Sequence, residues 1–344
     1  MMMLSQAIKD IIEGKNLTEQ LAFDAMNQIM EGNATEAQIA GYLIGMRVKG
    51  ETVDEITGGA KSLASKCARI HPNVDFCVDP VGTGGDCTNT FNISSTSAIV
   101  AAAAGVSVAK HGNRSVSSKS GSADFYEALG VNIALKPAAV QKCIEEIGFG
   151  FMFAPTFHPA MRFAAPVRKQ LGVRTMFNLL GPLSNPAGAQ GQVLGVYEKE
   201  IMNFAAQTLR NLGEKQALIV HGSDGTDEIT NTGETYITEL KDGEIVDYTI
   251  VPEIFGMKRC ELSDLQGGDA QENAKISLDI FSGKEGPMRD IVVMNSAATI
   301  YVGQKAKSLA EGMLIAADAI DSGAAMRKLE EIRAYTNRKE LVEL

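Results

Sequence analysis

Residues 74–112 of the chain read VDFCVDPVGTGGDCTNTFNISSTSAIVAAAAGVSVAKHG. Two short apolar runs, VDFCVDP and VSVAKHG, flank an alanine-rich stretch that has the length of a helix. This order is typical of a βαβ unit, whose two strands lie parallel in one sheet. The alternation continues through VNIAL, PAAVQKCIEEIG and FGFMFAP. We therefore predict an α/β domain with a mostly parallel central sheet and helices around it.

The first 70 residues carry helix signals instead. Thr18 precedes an amphipathic run, and Thr35 with Gln38 and Thr52 with Glu55 form capping-box patterns before two more helices. Three short helices with tight connections predict a small all-helical N-terminal domain over residues 1–72. The α/β domain then covers residues 73–344. A helix-like stretch near 166–190 ends in proline and glycine, which indicates a segment that crosses back to the helical domain.

The second half of the chain contains further apolar runs. GQVLGVY, QALIVHG and RDIVVMNSA are interpreted as buried strands. TYITELKDGEIVDYTIVP predicts a β-hairpin that turns at Asp242 and Gly243. The last 40 residues return to a helical pattern.

Composition narrows the class of protein. A formal net charge of −10 disfavours general nucleic-acid binding, which needs clustered Lys and Arg. The five cysteines form no Cys-x-x-Cys pair, as expected for reduced thiols in a cytoplasmic protein. The amino terminus carries charges where a signal peptide needs an apolar core, and the apolar stretch at 98–104 is too short to span a bilayer. We therefore predict neither a nucleic-acid partner nor a membrane partner.

A first candidate site lies between the predicted strand that ends near Asp79 and the helix that begins near Ser94. Glycines at 82, 84 and 85 allow consecutive N–H groups to turn towards an anion, and the helix terminus adds positive partial charge. The Ser94 hydroxyl could also bind Mg²⁺. The spacing matches neither a Walker loop nor a dinucleotide fingerprint. A glycine-rich turn without a ligand is the alternative interpretation.

A second candidate site follows the next strand, in VAKHGNRSVSSKSGSAD at 108–124. Lys110, Arg114 and Lys119 supply three positive charges among serines and glycines, a composition unsuited to a buried core. Ligands of α/β sheets bind beyond the carboxyl ends of strands. We therefore expect this loop and the glycine-rich segment to face each other across one crevice.

Two more segments carry polar chemistry. Asp224, Asp227 and Glu228 follow the strand QALIVHG, and paired carboxylates beside a polyphosphate suit Mg²⁺. A solvated acidic turn is the alternative. Arginines recur at 162, 168 and 174, and one of them could pair with a ligand carboxylate. The residue pattern alone does not choose among the three.

Together these segments resemble the anthranilate phosphoribosyltransferase family. The matching motifs are GTGGD, NTFNIS, KHGNRSVSSKSGSAD, FHPAM, VRKQLGVRT, FNLLGPLSNPA and HGSDGTDEIT, spread over most of residues 18–317. The resemblance implies transfer of the 5-phosphoribosyl group from phosphoribosyl pyrophosphate to anthranilate. The products would be N-(5-phosphoribosyl)anthranilate and pyrophosphate, in the second step of tryptophan biosynthesis from chorismate. It also implies a homodimer formed through the helical domain.

The resemblance further implies residue roles. Lys110, Asp227 and Glu228 would be catalytic, and Ser94, Asp227 and Glu228 would bind one or two Mg²⁺ ions. Gly82, Asn113 and Arg168 would contact anthranilate, with the arginine pairing with its carboxylate. Phosphoribosyl pyrophosphate would be bound by Gly82, Gly85, Asp86, Thr90, Asn92, Ile93, Ser94, Ser95, Lys110, His111, Gly112, Asn113, Arg114, Ser115, Val116, Ser117, Ser118 and Ser122.

Two positions depart from the family pattern. Ser95 stands where threonine is usual and keeps the hydroxyl. Cys87 stands where glycine is common, and an anion nest that favours its thiolate would make the enzyme sensitive to oxidation. Two alternatives are a pyrimidine nucleoside phosphorylase of the same general fold and a non-catalytic relative that binds nucleic acid. KHGNR and the NPA segment argue against the first, and the negative charge with intact motifs argues against the second.

Overall fold

The computed structural model describes residues 2–115 and 119–344. Four helices open the chain, one more than the three predicted, and they are α1 (Met2–Ile12), α2 (Glu19–Met30), α3 (Glu36–Lys49) and α4 (Val53–Lys66). Thr18, Thr35 and Thr52 are their N-caps from α2 onwards, and the two predicted capping boxes are present. α1 was outside the predictions because no capping residue precedes it. Its buried face is formed by Leu4, Ala7 and Ile11, at helical spacing.

Helices α2 and α4 pack closely because Gly58 of α4 has no side chain. A Cβ atom at Gly58 would lie 2.3 Å from the backbone oxygen of Glu19 and 2.9 Å from the backbone nitrogen of Phe23. Neither backbone atom can move without shifting α2. Gly58 therefore sets the distance between the two helices.

We expect Gly58→Ala to lower the free energy of unfolding by about 1–3 kcal/mol through this overpacking. Gly41→Ala in α3 is the matched control, because a Cβ atom there meets nothing within 4 Å. That change should stabilise the chain by roughly 0.5–1 kcal/mol, since alanine favours a helix. Urea unfolding of both variants measures the difference, and equal effects would contradict the close packing.

A seven-stranded sheet forms the rest of the architecture, in the order β3-β2-β1-β4-β5-β6-β7. The first five strands in that order are parallel, and β6 and β7 form an antiparallel hairpin. The prediction of a mostly parallel sheet is confirmed. The strands are β1 (Cys77–Gly82), β2 (Ser107–Gly112), β3 (Phe149–Phe153), β4 (Gly191–Gly195), β5 (Gln216–Gly222), β6 (Thr235–Lys241) and β7 (Glu244–Ile250).

The hairpin turn is at Asp242 and Gly243, as predicted, and both residues have positive φ angles. The remaining helices are α5 (Ile93–Ala103), α6 (Ser122–Ala128), α7 (Pro137–Ile147), α8 (Ala154–Phe157), α9 (Ala165–Leu171), α10 (Phe177–Leu180), α11 (Met202–Leu212), α12 (Ala270–Phe281), α13 (Pro287–Val302), α14 (Leu309–Asp321), α15 (Ala324–Thr336) and α16 (Lys339–Val342).

Two interpretations of apolar runs are wrong. RDIVVMNSA, interpreted as a strand, lies in α13, where Ile291 through Met294 are all at most 2% exposed. A helix buried on every side has no polar face, so its apolar run cannot be distinguished from a buried strand by periodicity. VNIAL at 131–135 is likewise outside the strands of the sheet, although Val131, Ile133 and Leu135 are buried.

Two apolar clusters hold these elements together. One contains α5, α7 and α13 beside the sheet. The other joins α1–α4 to α11 and includes Val81, Leu194 and Ile219 of the sheet. Val167, Met176 and Phe177, from the segment predicted to cross back, pack in the second cluster with the N-terminal helices. None of the helices in the described part of the chain has the length and apolar character needed to cross a membrane.

Candidate functional site

The candidate site lies at the carboxyl ends of β1, β2, β4 and β5. The strand order reverses direction between β1 and β4, and ligands of open α/β sheets bind in the crevice outside such a reversal. Three of the segments singled out in the sequence begin here. They are the glycine loop (residues 83–92) after β1, the serine loop (113–121) after β2 and the acidic loop (223–234) after β5.

The glycine loop contacts the acidic loop directly. The N–H of Gly84 donates to Oδ2 of Asp227 over 2.8 Å. A Cβ atom at Gly82 would lie 2.4 Å from the same oxygen, so only glycine leaves room for the carboxylate there. Gly84 and Gly85 have φ angles of 64° and 77°, which side chains disfavour. These glycines let the backbone, and not a side chain, face the carboxylate.

The three predicted carboxylates of the acidic loop divide into one that is structural and two that face the crevice. Asp224 accepts hydrogen bonds from the Thr226 N–H and from the hydroxyls of Thr226, Thr230 and Thr232, all within 3.1 Å. These bonds lower the pKa of Asp224 against the effect of its burial. The three acidic residues that the sequence grouped together are thus divided, and Asp224 holds the loop that presents the other two.

Asp227 and Glu228 are partly buried beside the start of α5. The backbone N–H of Ser94 donates to Oε1 of Glu228 over 3.0 Å. Burial and the nearby Asp86 raise the pKa of Asp227 to about 7. Burial and Asp227 raise the pKa of Glu228 well above its usual value. The ionised forms of both carboxylates are therefore disfavoured here, and a bound cation would offset this.

The oxygen donors at this place fit a magnesium ion bound together with a substrate. Within residues 2–115 and 119–344, no three His, Cys, Asp or Glu side chains are arranged to hold a metal by themselves. Mg²⁺ is commonly held by one or two carboxylates together with waters and substrate phosphates. Asp227, Glu228 and the Ser94 hydroxyl would form such a partial set of ligands.

Lys110, at the end of β2, is the buried cation beside these carboxylates. It is 2% exposed, and its Nζ donates to the Pro80 carbonyl oxygen at 2.5 Å. Burial lowers the pKa of Lys110, and Asp79 is the strongest of the neighbours that oppose this effect, ahead of Glu228 and Asp227. The surrounding carboxylates thus partly oppose the effect of burial on the charge of Lys110.

The residue pattern did not reveal the side chains that hold the backbone on both sides of Lys110. Asp79 accepts hydrogen bonds from the His111 N–H over 3.1 Å and from Nδ2 of Asn185 over 2.7 Å. Nδ2 of Asn185 also donates to the carbonyl oxygen of Ala109 over 2.9 Å. Asn185 belongs to the NPA motif, so the motif was visible in the sequence but its partner was not. Only the fold brings β1, β2 and this motif together.

The described residues at the two ends of the serine loop are held mainly by α6. Asp124 of α6 accepts hydrogen bonds from the N–H groups of Ser115 and Gly121, and Arg114 forms ion pairs with Asp124 and Glu127. The Ser122 hydroxyl donates to the carbonyl oxygen of Asn113. Gly112 ends β2 just before this loop. The predicted residues Val116, Ser117 and Ser118 lie outside the described residues.

Other predicted residues lie at the start of α5. Asn92 precedes the helix, and its side chain bonds to Ser120 of the serine loop. Ile93 and Ser95 are 1% and 2% exposed, so the predicted contacts there require the backbone N–H groups of the first turn. Thr90 pairs with Gln266, and Asp86 accepts from the Thr88 hydroxyl. Gly82, Asp86 and Ser94 lie beside Asp227 and Glu228. Arg114, in contrast, is bound to α6.

The three arginines have different surroundings. The guanidinium of Arg168 lies 5.1 Å from the Phe177 ring centre, and in the described part of the chain no carboxylate pairs with it. Arg162 is exposed beside the Phe163 ring. Arg174 donates to the Gly85 carbonyl oxygen and forms an ion pair with Glu198. Arg168 is thus a half-buried cation that keeps its capacity for a carboxylate ligand.

Two buried histidines lie near Lys110. The rings of His111 and His158 are 4.9 Å apart between centroids. Burial lowers the pKa of His111 to about 3 and that of His158 to about 4, so both rings are neutral at physiological pH. Nε2 of each ring is buried and has no hydrogen-bond partner among the described residues. Each Nε2 is thus available to a water or a ligand.

Cys87 is exposed in the glycine loop with a φ angle of 61°. This left-handed conformation favours glycine and explains why glycine is common at this position in the resembling family. We expect Cys87→Gly to keep its activity after mild peroxide treatment that inactivates the unmodified chain. Residual activity measured after the treatment tests this, and equal losses in both proteins would contradict it.

Known proteins match this chain over both of its parts. Residues 5–67 match the helical bundle domain of a glycosyl transferase family, and residues 75–326 match the a/b domain of that family. An anthranilate phosphoribosyltransferase of Acetivibrio thermocellus is 54% identical over 335 residues, covering 97% of each chain.

Solved structures give the same result. The anthranilate phosphoribosyltransferase of Thermus thermophilus superposes with a TM-score of 0.91 at 42% identity, covering 96% of this chain and 99% of the other. The enzyme of Saccharomyces cerevisiae in complex with phosphoribosyl pyrophosphate and Mg has a TM-score of 0.89 at 29% identity, covering 97% of each chain. The motifs, the fold and these relatives agree, and the chain belongs to the anthranilate phosphoribosyltransferase family.

Proposed function

We propose that this chain transfers the 5-phosphoribosyl group of phosphoribosyl pyrophosphate to the amino group of anthranilate and releases pyrophosphate. The observation that carries the proposal is the meeting of Gly84, Ser94, Asp227 and Glu228 through hydrogen bonds of 3.0 Å or less. This arrangement places loop and helix N–H groups, a buried lysine and two carboxylates around one crevice. A diphosphate with bound Mg²⁺ has the matching charge and shape.

The glycine loop and the start of α5 would hold the diphosphate. Backbone N–H groups of residues 85, 86 and 95 would supply donors, and Lys110 would supply a positive charge. Asn113, Ser115 and Ser122 would contact the ribose and its phosphate. These roles are supported by the position of both loops at the carboxyl ends of neighbouring strands.

Asp227, Glu228 and the Ser94 hydroxyl would hold one or two Mg²⁺ ions. Bound Mg²⁺ would neutralise negative charge on the pyrophosphate leaving group. The yeast relative holds Mg together with phosphoribosyl pyrophosphate. The raised pKa values of Asp227 and Glu228 support the assignment here, because a bound cation would offset the repulsion between them.

The chemical step would break the bond between the anomeric carbon and pyrophosphate and form a bond to the aryl amine. Positive charge develops on the ribosyl ring, as in glycoside cleavage, and negative charge develops on pyrophosphate. Lys110 and the loop N–H groups would lie in advance where that negative charge grows, which is an effective form of electrostatic stabilisation. A neutral aryl amine is already nucleophilic, so the account needs no general base, and positioning does the rest.

Arg168 would pair with the anthranilate carboxylate, near Gly82 and Asn113. We expect Arg168→Met to raise the KM for anthranilate by roughly tenfold or more, because a charge-assisted hydrogen bond contributes about 1.5–3 kcal/mol. The KM for phosphoribosyl pyrophosphate should change little. Arg162→Met is the matched control, since Arg162 is exposed beside Phe163. Equal effects of the two changes in steady-state kinetics would argue against the assignment.

Anthranilate fluorescence tests the function directly. Signal loss should require the protein, phosphoribosyl pyrophosphate and Mg²⁺ together, and EDTA should abolish it. No loss with folded protein would favour the phosphorylase alternative, which cleavage of thymidine and uridine by phosphate would then test.

The organisation of the chain is part of the same proposal. We propose a helical domain of residues 1–72 joined by the segment 166–190, and an α/β domain of residues 73–344. A homodimer formed through the helical domain and a cytoplasmic location complete the account. Sedimentation of the purified chain would show whether it forms a homodimer.

A further inference from the structure

The glycine loop is bound on one side by a segment far along the chain, residues 265–268, which we call the brace. The N–H of Gly267 donates to the Asn89 carbonyl oxygen over 2.9 Å, and the N–H of Phe91 donates to the Leu265 carbonyl oxygen over 3.2 Å. Thr90 and Gln266 form an antiparallel bridge. The brace therefore pairs with the glycine loop through the backbone, as a short strand would.

Gly267 makes this pairing possible. A Cβ atom at this position would lie 2.6 Å from Cα and 2.7 Å from the backbone nitrogen of Phe91, and 2.7 Å from Oδ1 of Asn273. Backbone atoms cannot yield as the tip of a side chain can. Any side chain at 267 must therefore push the glycine loop and the brace apart.

Asn273 connects the brace to the rest of the candidate site. Its side chain is 2% exposed, and its Oδ1 accepts from the Gly268 N–H over 2.8 Å. Its Nδ2 donates to Oδ1 of Asn92 over 2.8 Å. Asn92 in turn donates from Nδ2 to the Ser120 carbonyl oxygen. One buried amide thus links the brace, the start of α5 and the serine loop.

The brace itself is firmly anchored. Leu265 is fully buried in the core. Asp269 caps α12 by accepting from the N–H groups of Gln271 and Glu272, and a hydrogen bond of 2.7 Å joins the hydroxyls of Thr96 and Ser277 between α5 and α12. The glycine loop, in contrast, contains four residues with positive φ, namely Gly84, Gly85, Cys87 and Asn89. A loop of this kind depends on external contacts for a single conformation.

We propose that Gly267 and Asn273 are positioning residues for the diphosphate site. The brace fixes the direction of the N–H groups of the glycine loop, and Asn273 fixes Asn92 at the start of α5. Neither residue needs to touch the substrate. The inference rests on the proposed function, because it assigns the glycine loop to phosphoribosyl pyrophosphate. A displacement near 1 Å in a reacting group lowers rates by as much as about 100-fold, so a shift of the glycine loop should strongly lower kcat/KM for phosphoribosyl pyrophosphate.

The test compares Gly267→Ala with Gly256→Ala in steady-state kinetics. Gly256 has a φ angle of 73° and open space around its Cβ position, so its substitution adds backbone strain without touching the loop. We expect Gly267→Ala to raise the KM for phosphoribosyl pyrophosphate by about tenfold or more, with a smaller change in the KM for anthranilate. Gly256→Ala should leave both constants unchanged.

A second pair of variants covers the case in which Gly267→Ala does not fold. Asn273→Asp keeps the acceptor for Gly268 but places a carboxylate against Oδ1 of Asn92. It should also raise the KM for phosphoribosyl pyrophosphate. Asp279→Asn is its control, because the Asp279 side chain lies on the same helix and is 40% exposed. Melting temperatures of all variants separate loss of fold from loss of positioning.

The outcomes distinguish the inference from the function on which it rests. If the unmodified chain shows no transfer, the proposed function fails and this inference fails with it. If the unmodified chain is active, and Gly267→Ala and Asn273→Asp match their controls in both KM values, the inference alone is overturned. A rise confined to the KM for phosphoribosyl pyrophosphate supports it.

Discussion

Lys110→Ala is expected to lower kcat by about 100- to 1,000-fold, the usual loss when one preplaced donor to a developing anion is removed. The lysine is buried beside Asp227 and Glu228, and its Nζ donates to the Pro80 carbonyl oxygen. When pyrophosphate leaves, it would add negative charge next to a cation that needs no reorientation. The KM for anthranilate should change little, because Arg168 and not Lys110 is proposed to bind that substrate.

Controls separate chemistry from folding in this experiment. Either substitution of Lys110 leaves Asp79 buried without its main positive neighbour, so melting temperatures should be measured for each variant. Lys110→Met keeps the apolar length of the side chain and should be compared with Lys110→Ala. Lys142→Ala removes an exposed lysine and should leave kcat unchanged. A folded Lys110→Met variant with near-normal kcat at saturating magnesium would contradict the leaving-group role.

Asp227→Asn is expected to lower turnover about as strongly, roughly 100-fold at ordinary magnesium concentrations. The amide keeps the shape of the carboxylate and can accept from the Gly84 N–H, but it has no charge for Mg²⁺. Raising the magnesium concentration should recover only part of the rate. Asp75→Asn, which makes the same change in net charge at an exposed site, should have no effect. A deficit that does not change with magnesium concentration would count against Asp227 as a metal ligand.

Asp227→Asn should also change the pH dependence of stability when no metal is bound. Asp227 has a pKa near 7 in the folded chain, against 3.8 when unperturbed, because burial and Asp86 disfavour its charge. The folded state therefore keeps a proton that the unfolded state has released, and Asp227 lowers stability as pH rises from about 4 to 7. Asp227→Asn should weaken this decline in EDTA-treated protein, as melting temperatures over that pH range would show.

Most of the fold follows from local signals in the sequence. The threonine capping boxes, the βαβ alternation and the Asp242-Gly243 turn each act within a few residues, and each is present in the structure. The two failures among the helices have different physical causes. α13 is buried on all sides and has the composition of a strand, while no capping residue precedes α1 in the sequence.

The candidate site was only partly predictable for a related reason. Loops that follow parallel strands meet at one edge of the sheet, so the sequence could predict that the glycine, serine and acidic loops lie together. The residue pattern alone could not distinguish the structural Asp224 from Asp227, because the hydrogen bonds from three threonine hydroxyls to Asp224 are visible only in the fold. Nor could it find Asp79, Asn185 or the brace, whose partners lie between 32 and 178 positions away.

The most direct test of the central claim follows the bond that breaks and the bond that forms in the same reaction. Anthranilate consumption and pyrophosphate release should be measured in the same reaction mixture, with phosphoribosyl pyrophosphate, with Mg²⁺ and with or without EDTA. The account predicts equal amounts of anthranilate lost and pyrophosphate formed, and neither in EDTA. Pyrophosphate release that does not depend on anthranilate, or transfer that persists unchanged in EDTA, would contradict it.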